Sequence, residues 1–165
     1  MHHQPAVTLR GMITSFIAAG IAAGLLLSAA SQASAAVTAD EAKAFVDGAV
    51  AHVKAVGPEK AFAEFTAADN TQFHQGELYM FCYGADGMTK AHGGNAKLVG
   101  TNMIGMRDAD GFLSTAALIK VAMDNGSGWT EIKWPNPVSK KVEKKGVYSV
   151  KVADDLVCAS GYYKG

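Results

Sequence analysis

Cysteine, proline and net charge are all scarce in this chain. Its 165 residues include 2 Cys and 4 Pro, and 15 basic residues balance 15 acidic ones. Neutrality excludes a nucleic-acid or anionic-membrane surface as the basis of function, because both need a basic stripe. The densest basic stretch (Lys140, Lys141, Lys144, Lys145) is short, is interleaved with Val142 and Glu143, and reads as a solvated hairpin end. No nucleic-acid partner is expected. Catalytic signatures are missing too: there is no G-x-S-x-G, no H-E-x-x-H, no Walker loop and no G-x-G-x-x-G opening a helix. The cysteines form neither C-x-x-C nor C-x-x-C-H, which excludes dithiol exchange and covalent haem. Asp108-Ala109-Asp110-Gly111 lacks the further oxygen ligands and closing glutamate of a calcium loop and reads as a turn. No enzyme, metal or cofactor is expected.

Long apolar runs are also rare, with one exception at the start. Arg10 precedes a nearly wholly apolar or small run from Met12 to Leu27, and Ala33-Ser34-Ala35 matches the small-x-small pattern of a signal-peptidase site. The run is too short and too rich in Ala and Gly for a stable anchor. Residues 1–35 are therefore expected to be a cleaved signal peptide, leaving an exported, periplasmic, soluble chain of residues 36–165 with 14 basic against 15 acidic residues. In an exported chain, Cys82 and Cys158 are expected to be bridged rather than free.

The remainder has the composition of one globular domain, 49% hydrophobic and 18% charged over the whole sequence, with 18 glycines for turns. Thr38 and Glu41 form a capping box ahead of an apolar stripe through Ala42, Phe45, Val46, Ala49, Val50, Val53 and Val56. Gly57-Pro58 predicts a stop and a restart, and the second helix turns Ala61, Phe62 and Phe65 inward. His52 lies beside the first stripe as a helix-surface histidine. Leu78–Tyr83 predicts a buried strand, Gly84 to Gly87 a turn, and Met88–His92 the returning strand. Leu98–Met106 reads as irregular or a short helix. A third helix is expected over 112–125, with Leu113, Ala116, Ala117, Ile119 or Lys120, and Met123 as its stripe. Three strands follow: Trp129–Trp134, Lys141 or Lys144 to Val152, and Leu156–Tyr163, the last pair joined by Asp154-Asp155. Two helices, two strands, a helix and three strands make an α+β domain with a five-stranded antiparallel sheet.

Alternation puts Tyr79, Phe81 and Tyr83 on one face of their strand and Cys82 on the other. Such an aromatic face is either plain core or the wall of a pocket. Trp129 and Trp134 bracket the third strand, and Lys145 and Tyr148 lie on the fourth. Aromatic walls with a lysine, a tyrosine and a histidine suit a small carboxylate, which needs one charge partner and two or three hydrogen bonds. His74 and His92 could instead join an acid in a metal site, though they lack ligand spacing.

The chain resembles the type-2 single Cache domains, PAS-like sensor modules that work outside the cytoplasm. The resemblance covers residues 42–163. It rests on G-P-E-K-A-F-A-E-F (57–65), Y-x-F-x-Y with its D-G turn and A-H (79–92), L-V-G-x-N (98–102) and D-A-D-G-F (108–112). G-S-G-W (126–129), W-P-N-P (134–137), K-x-x-Y (145–148) and S-G-Y-Y (160–163) continue it in the same order. It implies a PAS-like Cache fold, with a long N-terminal helix packed on a five-stranded antiparallel sheet and the pocket on the other face. It implies binding of a small organic acid linked to chemotaxis or two-component signalling. Ligand positions then fall on Tyr79, His92, Trp129, Trp134, Lys145 and Tyr148, with Phe81 and Tyr83 as walls, Lys145 taking the carboxylate, and Tyr148 and His92 donating hydrogen bonds. The same order makes the first and last strands neighbours, which places Cys82 beside Cys158. Family members usually sit between membrane helices. This sequence shows none after residue 35, so it is expected to act as a soluble binding protein or through a membrane-bound receptor, kinase or transporter. Two other readings stay open: an interaction protein with an unused or side-chain-filled pocket, and a metal-dependent enzyme using His74 and His92.

Overall fold

The computed structural model describes residues 36–164. The predicted signal peptide and its cleavage point lie outside them. The elements are α1 (Ala39–Val56), α2 (Pro58–Thr66), β1 (His74–Gln75), β2 (Leu78–Tyr79), β3 (Phe81–Gly84), β4 (Thr89–His92), a short 3-10 turn (Ala96–Leu98), α3 (Ser114–Asn125), β5 (Ser127–Pro135), β6 (Val142–Ala153) and β7 (Leu156–Lys164). Five strands form one antiparallel sheet in the order β4-β3-β7-β6-β5. The expected α+β architecture is the observed one. Among the described residues no helix is long and apolar enough to cross a membrane.

The sheet divides the core in two. On one face α1 buries Ala42, Val46, Ala49, Val50 and Val53, positions that recur every three or four residues and so share one side of the helix. Val46, Ala49, Val50 and Val53 pack with Phe65 of α2 and with Met80, Cys82, Tyr148 and Cys158. Thr38 starts α1 as predicted: its hydroxyl accepts from Glu41 N–H at 3.2 Å and the Glu41 carboxylate accepts from Thr38 N–H at 2.8 Å. On the other face α3 packs Leu118, Ile119 and Ala122 against Tyr79, Phe81, Tyr83, Ile132, Val147, Val157 and Ala159. Cys82 and Cys158 are register partners on β3 and β7, 4.1 Å apart at Cα, and form a disulfide in the first core.

Three local expectations change. The run Leu78–Tyr83 is not one strand: β2 pairs with β1 in a small separate ribbon, and β3 enters the main sheet after Met80. Met80 sits at the break because its N–H is donated to Phe73 and its carbonyl accepts from Gly93. Alternation survives, with Met80 and Cys82 in one core and Tyr79, Phe81 and Tyr83 in the other. The buried stripe of α3 is Ser114, Thr115, Leu118, Ile119 and Ala122, and Leu113 is left exposed. His52 is half-buried between α1 and α2, paired with the Glu64 carboxylate, with its ring tilted against those of Phe65 and Phe73.

Candidate ligand-binding site

The second core is incompletely filled. A cavity there is lined by Tyr79, Phe81 and Tyr83 of β2 and β3, His92 of β4, Ser114, Thr115 and Leu118 of α3, Ile132 and Trp134 of β5, and Lys145 of β6. It holds about 10 Å³ for the centre of a water-sized sphere, which is the room of about one water molecule.

Lys145 dominates it. The residue is 1% exposed, and its Nζ has no hydrogen-bond partner. The amine lies 3.8 Å from the Tyr79 ring centroid, 4.6 Å from Tyr163 and 5.7 Å from Phe81. Ring faces attract an ammonium but do not replace its hydrogen bonds. Burial drives the Lys145 pKa well below that of a free lysine, and Glu77 opposes this only in part. The neighbouring lysines 140, 141 and 144 are exposed, as a hairpin end should be, whereas Lys145 alone in that cluster turns inward. Register explains why: Lys145 pairs with Ile132 and Tyr163, all on the α3 side of the sheet.

His92 is 2% exposed. Its Nδ1 accepts from Asn95 N–H at 3.0 Å, so the neutral ring carries its proton on Nε2. Burial, aided by Lys145 when that amine is charged, brings the His92 pKa down to about 4. The ring is stacked on Phe81 at 5.5 Å, with Tyr79 and Trp134 at 5.5 and 6.2 Å. The Tyr79 and Tyr163 hydroxyls hydrogen-bond at 3.3 Å, and Tyr163 donates to the Pro135 carbonyl at 2.8 Å. Burial raises the Tyr79 pKa to about 12 and raises Tyr83 as well, so both phenols stay protonated. Behind them Gly94 is held tightly: a Cβ there would come within 2.7 Å of the Tyr79 ring.

Six of the eight expected ligand residues line the cavity: Tyr79, Phe81, Tyr83, His92, Trp134 and Lys145. Trp129 and Tyr148 do not. They are register partners on β5 and β6, with rings 5.1 Å apart, on the α1 side of the sheet. Tyr148 belongs to the α1 core and donates to Ser127 Oγ at 3.0 Å, and Trp129 is 42% exposed. The reason is parity. Lys145 and Tyr148 are three residues apart and Trp129 and Trp134 five, and an odd spacing on a strand places side chains on opposite faces. Ser114, Thr115, Leu118 and Ile132 were not anticipated as lining residues. The spacing of Ser114, Leu118 and Ala122 by four was the signal available for the helix, and the shared parity of Ile132 and Trp134 for the strand.

His74 lies on β1 with its ring 6.2 Å from that of Tyr79, outside the lining. Among the described residues no three His, Cys, Asp or Glu side chains are grouped to hold a metal. The D-A-D-G segment is a braced turn. Asp108 Oδ1 accepts from the N–H groups of Asp110 and Phe112, and Oδ2 from that of Lys133.

The same architecture recurs in solved structures. A methyl-accepting chemotaxis protein from Vibrio parahaemolyticus RIMD 2210633 superposes with a TM-score of 0.66 at 22% identity, over 75% of this chain and 86% of that one. The periplasmic sensor domain of a chemotaxis protein gives 0.60 at 21%, over 76% and 90%. A Cache chemosensory domain described for its carboxylic acid recognition gives 0.59 at 20%, over 76% and 88%. No curated protein matches the chain. The model of single Cache domain 2 matches residues 33–163, nearly all of the sheet and its helices included, and the chain belongs to that family.

Proposed function

We propose that this protein is a periplasmic sensor module that binds a small monocarboxylate of two to four carbons and reports it to a membrane-bound receptor, kinase or transporter. Its leader is removed after Ala35. The observation that carries the reading is Lys145: a wholly buried amine without a hydrogen-bond partner, inside an aromatic cavity that also holds a histidine donor. An acid's carboxylate supplies the missing charge and acceptor, and the aromatic walls accept its short alkyl end. Membership of a Cache family and the likeness to a carboxylic-acid-recognising relative support the same reading. The six lining residues Tyr79, Phe81, Tyr83, His92, Trp134 and Lys145 form the proposed ligand set. Because the free space suits one water, binding must widen the cavity, either by withdrawal of the flexible Lys145 side chain from the Tyr79 ring or by displacement of α3.

A thermal-shift series with acetate, propionate, lactate and pyruvate tests this. Ligand at a hundredfold its dissociation constant should stabilise by about 2.7 kcal/mol, and Lys145→Met should remove the shift. The narrowness of the cavity favours one other reading, an interaction protein whose pocket is filled by its own Lys145. No shift with any acid at millimolar concentration, together with co-purification of a membrane partner, establishes that reading instead.

A further inference from the structure

Across the cavity from the sheet lies the start of α3, and it differs from the start of α1. The first turn of α1 is closed by the Thr38 capping box and carries Asp40 and Glu41. At α3 the N-cap position is Leu113, no side chain caps the helix, and the first turn holds no acidic residue. Its leading N–H groups thus lack the acceptor that a helix start ordinarily receives, and they carry the positive end of the helix dipole. Leu113 at the cap is exposed, but the next two residues are buried: Ser114 is 1% and Thr115 2% exposed, and both line the cavity. The Ser114 hydroxyl has no hydrogen-bond partner. Neither does Lys145 Nζ, which reaches the same cavity from β6. Two buried donors on separate elements therefore lack the same thing, an acceptor, and an uncapped helix end adds a preference for negative charge.

We propose that the first turn of α3 is the second half of an anion seat, so that the bound carboxylate lies between Lys145 Nζ and the Ser114 hydroxyl with the adjoining N–H groups. This deepens the carboxylate reading and rests on it. It assigns Ser114 a direct ligand contact and makes the acid a bridge between α3 and β6. It also favours an ionised carboxylate over an uncharged amide of the same shape, since both halves of the seat donate.

The test is calorimetric titration of the purified protein with acetate, propionate and acetamide, alongside Ser114→Ala. Backbone amide resonances of Ser114, Thr115 and Ala116 are followed by NMR in the unmutated protein, so the result does not depend on the variant folding. Ser114→Ala should bind acetate about tenfold more weakly, while the melting temperature of the ligand-free protein stays level or rises as an unpartnered hydroxyl is lost. The three amides should shift with acetate and not with acetamide. Wild-type acetate affinity in Ser114→Ala with unmoved amides overturns the α3 half and leaves the Lys145 half standing. Absence of any binding by the unmutated protein overturns the carboxylate reading, and this inference with it.

Discussion

On the face of the sheet that meets α1 and α2, the core is closed by the Cys82–Cys158 bridge, and the hydroxyls that reach it are bonded. Tyr148 donates to Ser127 and Ser160 donates to the Tyr79 carbonyl at 2.8 Å. On the face that meets α3, Lys145, Ser114, Thr89 and Ser149 all hold buried side-chain atoms with no partner. Thr89 is the register partner of Tyr83, and Ser149 of Ala159, so both belong to this side. Buried polar groups in a folded protein are nearly always paired. Among the described residues these exceptions fall on one face, the face that holds the proposed binding cavity. One side is bridged and bonded, and the other leaves polar atoms without partners.

The comparison can be broken from either side. The largest effect is expected from the stabilising face: Cys82→Ala with Cys158→Ala should lower unfolding free energy by about 4 kcal/mol, read by urea denaturation, because the bridge spans 76 residues. Acid acts on the other face. His92 is buried neutral with its pKa brought down to about 4. Its stabilising contribution is therefore complete above pH 6.5 and lost as pH falls from 6.5 to about 4, on the order of 3 kcal/mol. Denaturation curves across that window should show the loss in the ligand-free protein, and His92→Gln should flatten it.

Lys145→Met should move stability and binding in opposite directions. Replacing an unpartnered buried amine by an apolar side chain of similar volume should raise ligand-free stability by about 1–3 kcal/mol at pH 7 while abolishing acid binding. Since the folded pKa of Lys145 is lowered, the unmutated protein should gain stability as pH rises toward 10.5, and the variant should lose that gain. The smallest effect sharpens the boundary. Tyr148→Phe removes the hydroxyl that donates to Ser127, should cost about 0.5–1.5 kcal/mol, and should leave acid affinity untouched. Weakened acid binding by that variant would return Tyr148 to the site.

Much of the fold was legible in local chemistry. The capping box at Thr38, the Gly57-Pro58 break and the Asp154-Asp155 turn each state a backbone requirement that tertiary packing did not override. The Tyr79, Phe81, Tyr83 alternation likewise located one wall of the cavity. Trp129 and Tyr148, ligand positions implied by the resemblance, lie on the opposite face from the cavity, because strand parity decides which face a residue sees. Lys145 was half legible: nothing local separates it from the other lysines of its cluster, and only its register opposite Ile132 and Tyr163 turns it inward. Ser114 and Thr115 read as an ordinary helix start, since a buried hydroxyl and a solvated one look alike until α3 is laid on the sheet.

The Cys82–Cys158 bridge has a topological consequence as well as an energetic one. It makes residues 82–158 a closed covalent ring. Eight of the ten cavity-lining residues lie on that ring, and the other two, Tyr79 and Phe81, stand within three positions of its clasp. A protease cut at the exposed Val138–Lys140 turn would open the ring without releasing a fragment. The cavity's walls would stay tethered to one another, and the nicked protein could still reassemble the site as one molecule.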